Sequence, residues 1–511
     1  MKLSSPIIIA VDIGTGSSRA LLINTQLHIL AAFSAPCELI EPASGQVEQS
    51  AEQVLTATLQ VIRLASQQAA QQGLTIHGIC FSSAVSSLLA VDESGTPICN
   101  ALTWADTRAQ AQVNDLKEQA LQLYRRSGTP LHASYWLPKL IWLRFNRPDI
   151  FKRARYWLGL KDYVVHYLTG EYATDICNAA ATGMLNLSTL TWDEYACELT
   201  SVSSKQLPVL FETTSIIHEL LPEAAAQLEL PCSTPLILGA GDGMLANLGS
   251  GVITPGQVAT TIGSSGACRS ASAYPILDDT RMRVWSYPLL KDLWIIGGAE
   301  NSGGLVVNWF MENFWPAGPD RFNDMLQSIA QIPAGAQNLI FLPYLLGERA
   351  PIWDENARGA FIGLDSRHGP AHLARAVLEG VNFALYDVYQ SLGEYTSAAD
   401  EIRVSGGYTR SSEWLQIQAD MFNKKLVVLK SHECSALGAA ILGFYALGFF
   451  PDLKSASNLI EVKQTIEPDP QQHALYEYIM PLYGRAYHQL RPIFEELKEQ
   501  RFLTSATWRD K

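Results

Sequence analysis

Short apolar runs separated by polar turns open the chain. Ile7–Val11, Ala20–Ile23 and Leu30–Ala35 read as three β-strands of a meander. From Ala51 to about Gln71 the apolar residues recur at three- and four-residue spacing behind Ser50. This predicts an amphipathic helix with a serine N-cap. The strand Ile76–Phe81 follows, so the opening order is strand, strand, strand, helix, strand.

The second half repeats this logic. Gln257–Thr261 and Leu293–Gly297 read as strands, about Pro370–Leu392 as a long helix, and Glu401–Val404 as a strand ending in glycines. Asp106–Arg126 and Pro138–Thr169 carry helical patterns that decorate the first half, and about Pro470–Lys498 is an amphipathic helix that packs on the rest. The boundary is expected around Ser250–Pro255, giving an N-terminal domain 1–250 and a C-terminal domain 251–511.

The length of 511 residues exceeds one ordinary core, which agrees with two large domains. Apolar residues make up 48% and charged residues 17%, a globular balance. The net charge of -13 disfavours nucleic acid or an anionic membrane as partner, without excluding an anionic small molecule. Eight scattered cysteines without a C-x-x-C point to a reduced, cytoplasmic setting. Ala436–Phe450 has fifteen uncharged residues, too few to span a bilayer, and its Ala and Gly content predicts a closely packed buried helix.

Candidate chemistry lies in two turns that follow apolar strands. The first is Asp12-Ile13-Gly14-Thr15-Gly16-Ser17, the second Ile262-Gly263-Ser264-Ser265-Gly266. Glycines admit close backbone approach, and successive N–H groups with small hydroxyls supply donors to a phosphate. The first turn is not a dinucleotide fingerprint, since Arg19 stands at the third glycine position, and no G-x-x-x-x-G-K-[ST] is present. Taken singly, each could be an ordinary tight turn.

Further segments occur in a fixed order. They are Gln46-Val47-Glu48-Gln49, Trp104-Ala105-Asp106-Thr107-Arg108, Lys161-Asp162-Tyr163, Thr174-Asp175, Gly239-Ala240-Gly241-Asp242-Gly243 and Ser405-Gly406-Gly407-Tyr408-Thr409-Arg410-Ser411. Together with the two turns they resemble the FGGY carbohydrate kinases over about residues 7 to 450. The resemblance implies an α/β fold of two ribonuclease-H-like (actin-like ATPase) domains, with a nucleotide and substrate cleft between them that closes around its ligands. It also implies ATP and Mg²⁺, a sugar or sugar-acid acceptor, and a homodimer as a common state.

Roles follow from the resemblance and from the chemistry. Phosphoryl transfer to an alcohol needs a carboxylate to orient the hydroxyl and take its proton. Asp242 is the candidate base, and its alternative role is to cap a helix beginning at about Met244. Asp12, beside the phosphates, is assigned to Mg²⁺, with an Asx turn as the alternative. Gly14, Thr15, Gly16 and Ser17 are expected to line the phosphates from one lobe, and Gly263, Ser264 and Ser265 from the other. Gly406 and Gly407 leave room for adenine or ribose. Asn301, Gly303 and Gly304 form another nucleotide-side turn, or one that only opens a helix at Leu305.

On the acceptor side the chain departs from its xylulokinase relatives. Val85 and Ser86 stand where those carry Met and His, and Gly243 replaces their Asn after the catalytic Asp. The glycerol kinase Asn-Gln-Arg-Glu is absent too. Phe81-Ser82-Ser83-Ala84, Gly128-Thr129-Pro130-Leu131-His132 and Gly241 to Gly249 are most similar to the gluconokinase branch. The expected acceptor-binding residues are Ser83, Ser86, Trp104, Asp106, Arg108, His132 and Asp242. Core or surface placements are the alternatives for Trp104 and His132. A gluconate carboxylate would want a cation, for which Arg108, Lys139 and Arg269 are the candidates. D-Gluconate is the expected acceptor, with a xylulokinase or other ketose or polyol kinase next. A non-catalytic nucleotide-binding protein or a chaperone-type ATPase of the same superfamily are readings from other classes.

Overall fold

The computed structural model describes residues 5–397 and 399–507. Chain contacts divide it into two units. One comprises the residues up to Ile253 with Ser272–Ile296 and Glu433–Ile460. The other comprises Thr254–Ala271, Gly297–His432 and the chain from Glu461 on. The chain first crosses between them at Ile253–Thr254, and the first unit then takes in two segments from the second half of the sequence.

The first unit is built on a six-stranded sheet. Its meander strands are Ile7–Ile13, Ser17–Asn24 and Ile29–Pro36, each longer than the apolar pattern suggests because pairing continues into the flanking residues. Ile76–Ser83 runs parallel beside Ile7–Ile13, and Leu236–Gly241 runs parallel beside Ile76–Ser83. Both faces are covered, so Ile7 to Val11 and Gly78 to Ser83 are buried continuously. The helix Ala51–Gln71 has the expected limits. Ser50 caps it by accepting from Gln53 N at 3.3 Å, and Val54, Leu55, Val61, Ile62 and Ala65 form its buried stripe.

The membrane-like segment is the buried helix Cys434–Ala446. Its small residues let it press on the sheet at Ile8 and Cys80 and on the helix Asp242–Gly249. A Cβ at Gly438 would overlap the Leu245 carbonyl, and one at Gly249 would overlap the Cys434 carbonyl. No helix among the described residues is long and apolar enough to cross a membrane. All eight cysteines are free thiols.

Two helical expectations need correction. Asp106–Arg126 is broken into Gln110–Asp115, a 3₁₀ turn at Lys117–Gln119, and Ala120–Ser127, which ends at left-handed Gly128. Pro138–Thr169 divides into helices Trp136–Asn146, Pro148–Arg153 and Leu160–Thr169, with a strand Tyr156–Leu158 paired to Leu89–Val91. Pro148 has no N–H to continue the preceding helix and pushes Arg147 out of helical geometry, so it starts a new helix instead.

In the second unit five strands lie side by side in the order Gly266–Ser272, Val258–Ile262, Glu401–Ser405, Lys425–Leu429, Val462–Ile466. Val258–Ile262 is antiparallel to Gly266–Ser272 and parallel to Glu401–Ser405. The helix Pro370–Gly393 and the C-terminal helix Pro470–Thr507 are both present, and the latter buries Tyr476, Ile479, Tyr483, Tyr487 and Phe494.

Candidate active site

Three parallel strands of the first unit end together. Register places Asp12 beside Ser82, and Ser83 beside both Ile13 and Gly241, so Asp242 begins at the same sheet edge. The carboxyl ends of parallel strands are where open α/β sheets bind ligands. Leu236–Gly241 reaches this edge through an irregularity at Gly239. That residue has φ +70°, and a Cβ there would overlap the Phe81 carbonyl, so only glycine lets the strand lie so close.

Asp242 is the first residue of the helix Asp242–Gly249, with Gly241 at the N-cap. It therefore does not cap a helix starting at Met244. One carboxylate oxygen accepts from Gly243 N at 2.6 Å, and its main-chain carbonyl accepts from Ser435 Oγ at 3.2 Å. The side chain is partly exposed. Asp12 accepts from Ser82 Oγ at 2.6 Å, and burial by surrounding protein raises its carboxyl above the ordinary range despite the nearby Arg19.

The first turn is fastened from two other segments. Trp104 Nε1 donates to Thr15 Oγ1 at 2.9 Å, and Gln49 Nε2 donates to Thr15 O at 2.7 Å. Glu48 and Arg108 pair at 2.7 Å, and Arg108 also pairs with Asp106 at 2.7 Å. Asp106 is fully buried and accepts from Val47 N at 2.8 Å. Asp106 and Arg108 thus lock the Val47–Gln49 and Trp104–Arg108 segments together instead of presenting charge to a ligand.

Ser83 and Ser86, which the sequence groups together, are placed differently. Ser83 Oγ donates to Asn178 Oδ1 at 3.3 Å, whereas Ser86 is buried and donates to the Ala181 carbonyl at 2.6 Å. His132 is buried, with Nδ1 against Ser134 Oγ at 2.8 Å. Lys139 is fully buried and its Nζ donates to main-chain carbonyls.

Asn178 is absent from the sequence-based expectations. It sits in the first turns of the helix Ile176–Ala180, capped by Asp175, and its Nδ2 donates to Asp175 Oδ2 at 2.8 Å. Lys161 pairs with the same Asp175 and donates to the Leu238 carbonyl at 3.1 Å. A chain of polar contacts, buried at Lys161 and Asp175, therefore runs from Leu238 through Lys161, Asp175 and Asn178 to Ser83. Thr174-Asp175 was the available signal, but its link to Ser83 is a product of folding.

In the second unit the three predicted turns meet at one end of the sheet. Gly263 N donates to Ser265 O at 2.9 Å, Gly304 N to Gly263 O at 2.8 Å, and Leu305 N to Ser264 O at 3.1 Å. Thr261 and Ser405 hydroxyls are 3.0 Å apart across the parallel pair. Gly406, at φ +104°, lies against Ile262, where a Cβ would overlap the carbonyl. Gly303 caps and Gly304 begins the helix Gly304–Asn313, whose N-terminus favours an anion. Arg269 Nη1 donates to Thr261 Oγ1 at 3.3 Å. Glu300 is buried behind Gly266 with neither carboxyl oxygen hydrogen-bonded, so burial drives its pKa well up.

An open groove of about 1150 Å³, lined by Tyr156, Tyr172, Trp192, Glu194, Glu198 and Lys205 among others, holds no residue of either glycine-rich turn. The candidate residues named from the sequence gather instead at the two sheet edges.

Two α/β units, each with glycine-rich turns at a sheet edge, define a protein of the actin-like ATPase class. Residues 7–249 match the N-terminal domain of the FGGY family of carbohydrate kinases, and residues 258–447 match its C-terminal domain. The chain belongs to the FGGY family of carbohydrate kinases, and as a sugar kinase it takes ATP as co-substrate. It is 35% identical to a gluconokinase of Bacillus licheniformis, over 97% of this chain and 99% of that one. It is 29% identical to a xylulose kinase of Bacillus subtilis, over 97% and 99%. Among solved structures, a gluconate kinase from Lactobacillus acidophilus matches with TM-score 0.92 and 34% identity, over 97% of this chain and 100% of that one. A ligand-bound xylulose kinase from the same organism matches with TM-score 0.92 and 34% identity, over 96% and 100%.

Proposed function

We propose that this kinase transfers the γ-phosphoryl group of ATP to D-gluconate, giving ADP and 6-phosphogluconate, with Asp242 as the base. The observation that carries the chemistry is Asp242 at the strand edge shared with Asp12 and Ser83. The hydroxyl oxygen of the acceptor bonds to the γ-phosphorus as the bond from phosphorus to the ADP oxygen breaks. Asp242 orients that hydroxyl and takes its proton late, because an alcohol is a far weaker acid than a carboxylic acid. The Gly243 N–H holds one of its oxygens in place.

Gly14 to Ser17 and Gly263 to Ser265 supply N–H and hydroxyl donors to the phosphates, and Gly303, Gly304, Gly406 and Gly407 admit the rest of the nucleotide. Ser83, Asn178 and Trp104 form the polar wall for the acceptor. Among the described residues no three His, Cys, Asp or Glu side chains converge on a metal position. The single Asp12 carboxylate therefore suits Mg²⁺ that keeps water and phosphate oxygens as its other ligands. Such a cation would neutralise phosphate charge as it moves.

The preference for gluconate rests on the gluconokinase relatives and on Val85, Ser86 and Gly243, which differ from the xylulokinase pattern. A second reading, xylulose as acceptor, is favoured by the equal match to the xylulose kinase of Lactobacillus acidophilus. It gains weight because Arg108 and Lys139 are engaged within the protein and cannot both serve a carboxylate. A coupled assay of ADP release over sugar acids, ketoses and polyols tests the choice. Turnover best on D-gluconate supports the proposal. Good turnover on a pentulose with none on gluconate would replace the acceptor and leave the kinase intact.

A further inference from the structure

Lys139 projects from the helix Trp136–Asn146 and is fully buried. Its Nζ donates to the Thr103 and Ser134 carbonyls at 2.6 Å each and to the Ser86 carbonyl at 3.4 Å. An ammonium has three N–H groups and a neutral amine has two, so three carbonyls match the charged form. The three carbonyls come from three separate segments. Ser86 lies three residues after Ser83, Thr103 precedes Trp104, and Ser134 holds the His132 ring. Trp136, on the same helix, adds a bond from Nε1 to the Ser87 carbonyl at 2.8 Å.

We propose that Lys139 is a positioning residue for the acceptor site, its ammonium clipping together the three segments that carry Ser83, Trp104 and His132. The inference rests on the reading of these segments as acceptor-binding. It replaces direct contact of Lys139 with an acceptor carboxylate, which burial forbids.

The clip is sensitive to pH. Burial pushes the Lys139 pKa down to about 7, Asp106 opposes that shift, and Arg108 adds to it. Those two charges come from the Thr103–Arg108 segment, and His132 is the titratable side chain of the loop that supplies the Ser134 carbonyl. Below about pH 7 all three bonds form. Above it one donor is lost, the segments loosen, and the acceptor binds more weakly.

The experiment measures KM for the acceptor and for ATP across pH in the wild type and in Lys139→Met, Lys139→Arg and Ser83→Ala, using whichever sugar supports turnover. In the wild type the acceptor KM rises about fivefold from about pH 6 to about pH 9, while the ATP KM stays within about twofold. Lys139→Met has an acceptor KM about tenfold above wild type at low pH, and it no longer varies with pH. Lys139→Arg keeps its charge and shows no rise at high pH. A wild-type acceptor KM that is flat with pH overturns the proposal. So does an unaltered acceptor KM in Lys139→Met. If Lys139→Met does not fold, the wild-type and Lys139→Arg profiles still decide. Ser83→Ala separates the two levels. An unchanged acceptor KM there overturns the acceptor reading and the clip with it. A raised KM there, beside an unaltered Lys139→Met, overturns the clip alone.

Discussion

The edge of the first unit that carries Asp242 is built from side chains, whereas the glycine-turn edge of the second unit is built from backbone. At the first, Glu48, Asp106 and Arg108 lock two segments, Lys161 and Asp175 brace Asn178, and Lys139 gathers three carbonyls. At the second, Gly263, Gly303, Gly304 and Gly406 place carbonyls and N–H groups in contact with little side-chain help. The difference suits their proposed ligands. A nucleotide's phosphates need repeated N–H donors at short range, which backbone supplies. A sugar is distinguished from its relatives by hydroxyl geometry, which needs side chains held in fixed positions.

Among substitutions at the two edges, Asp242 is where activity should fall furthest. Asp242→Asn keeps the shape and removes the base. Turnover should fall about 1,000-fold in a coupled assay, while nucleotide titration shows affinity within about twofold of wild type. Next come the backbone positions. Gly406→Ala forces a Cβ against the Ile262 carbonyl at positive φ, which costs about 1–3 kcal/mol. A lowered melting temperature and an ATP KM raised about tenfold, with the acceptor KM little changed, would mark the second edge as the nucleotide's. An effect on the acceptor KM alone would reverse the assignment of the two edges.

Ser83→Ala sharpens the other side, where an acceptor KM raised about tenfold with ATP unaffected is expected from steady-state kinetics. The smallest effect belongs to Arg19 and Glu433, which pair at 3.0 Å with both side chains substantially exposed. A double-mutant cycle on thermal or urea unfolding should return no more than about 1 kcal/mol. A coupling several times larger would show that surface charge matters more to this unit than its buried network.

How much of this was legible in the sequence follows the same division. The helix Ala51–Gln71, its Ser50 cap and the strand-to-glycine turns were readable because local backbone geometry dictates residue type. The second-unit turns at Gly263, Gly303 and Gly406 could be named singly, although their meeting required the fold. On the side-chain edge, sequence grouped Asp106, Arg108 and Ser86 with the ligand, and the structure buries or engages all three within the protein. It offered Lys139 as a cation for the acceptor, without sight of the three carbonyls around it. Asn178 was missed because its contact with Ser83 spans 95 residues and leaves no periodic trace. The break before Pro148 was missed because the apolar pattern continues across it.

In the proposed reaction each phosphoryl group leaving ATP arrives on one hydroxyl of gluconate. The most direct measurement follows purified protein with MgATP and D-gluconate by ¹H-coupled ³¹P NMR, with ADP quantified in the same sample. The expected result is one equivalent of 6-phosphogluconate per ADP, its phosphorus coupled to the C6 methylene protons. ADP formed without a phosphorylated acceptor, or phosphate on another oxygen of the acceptor, would contradict it.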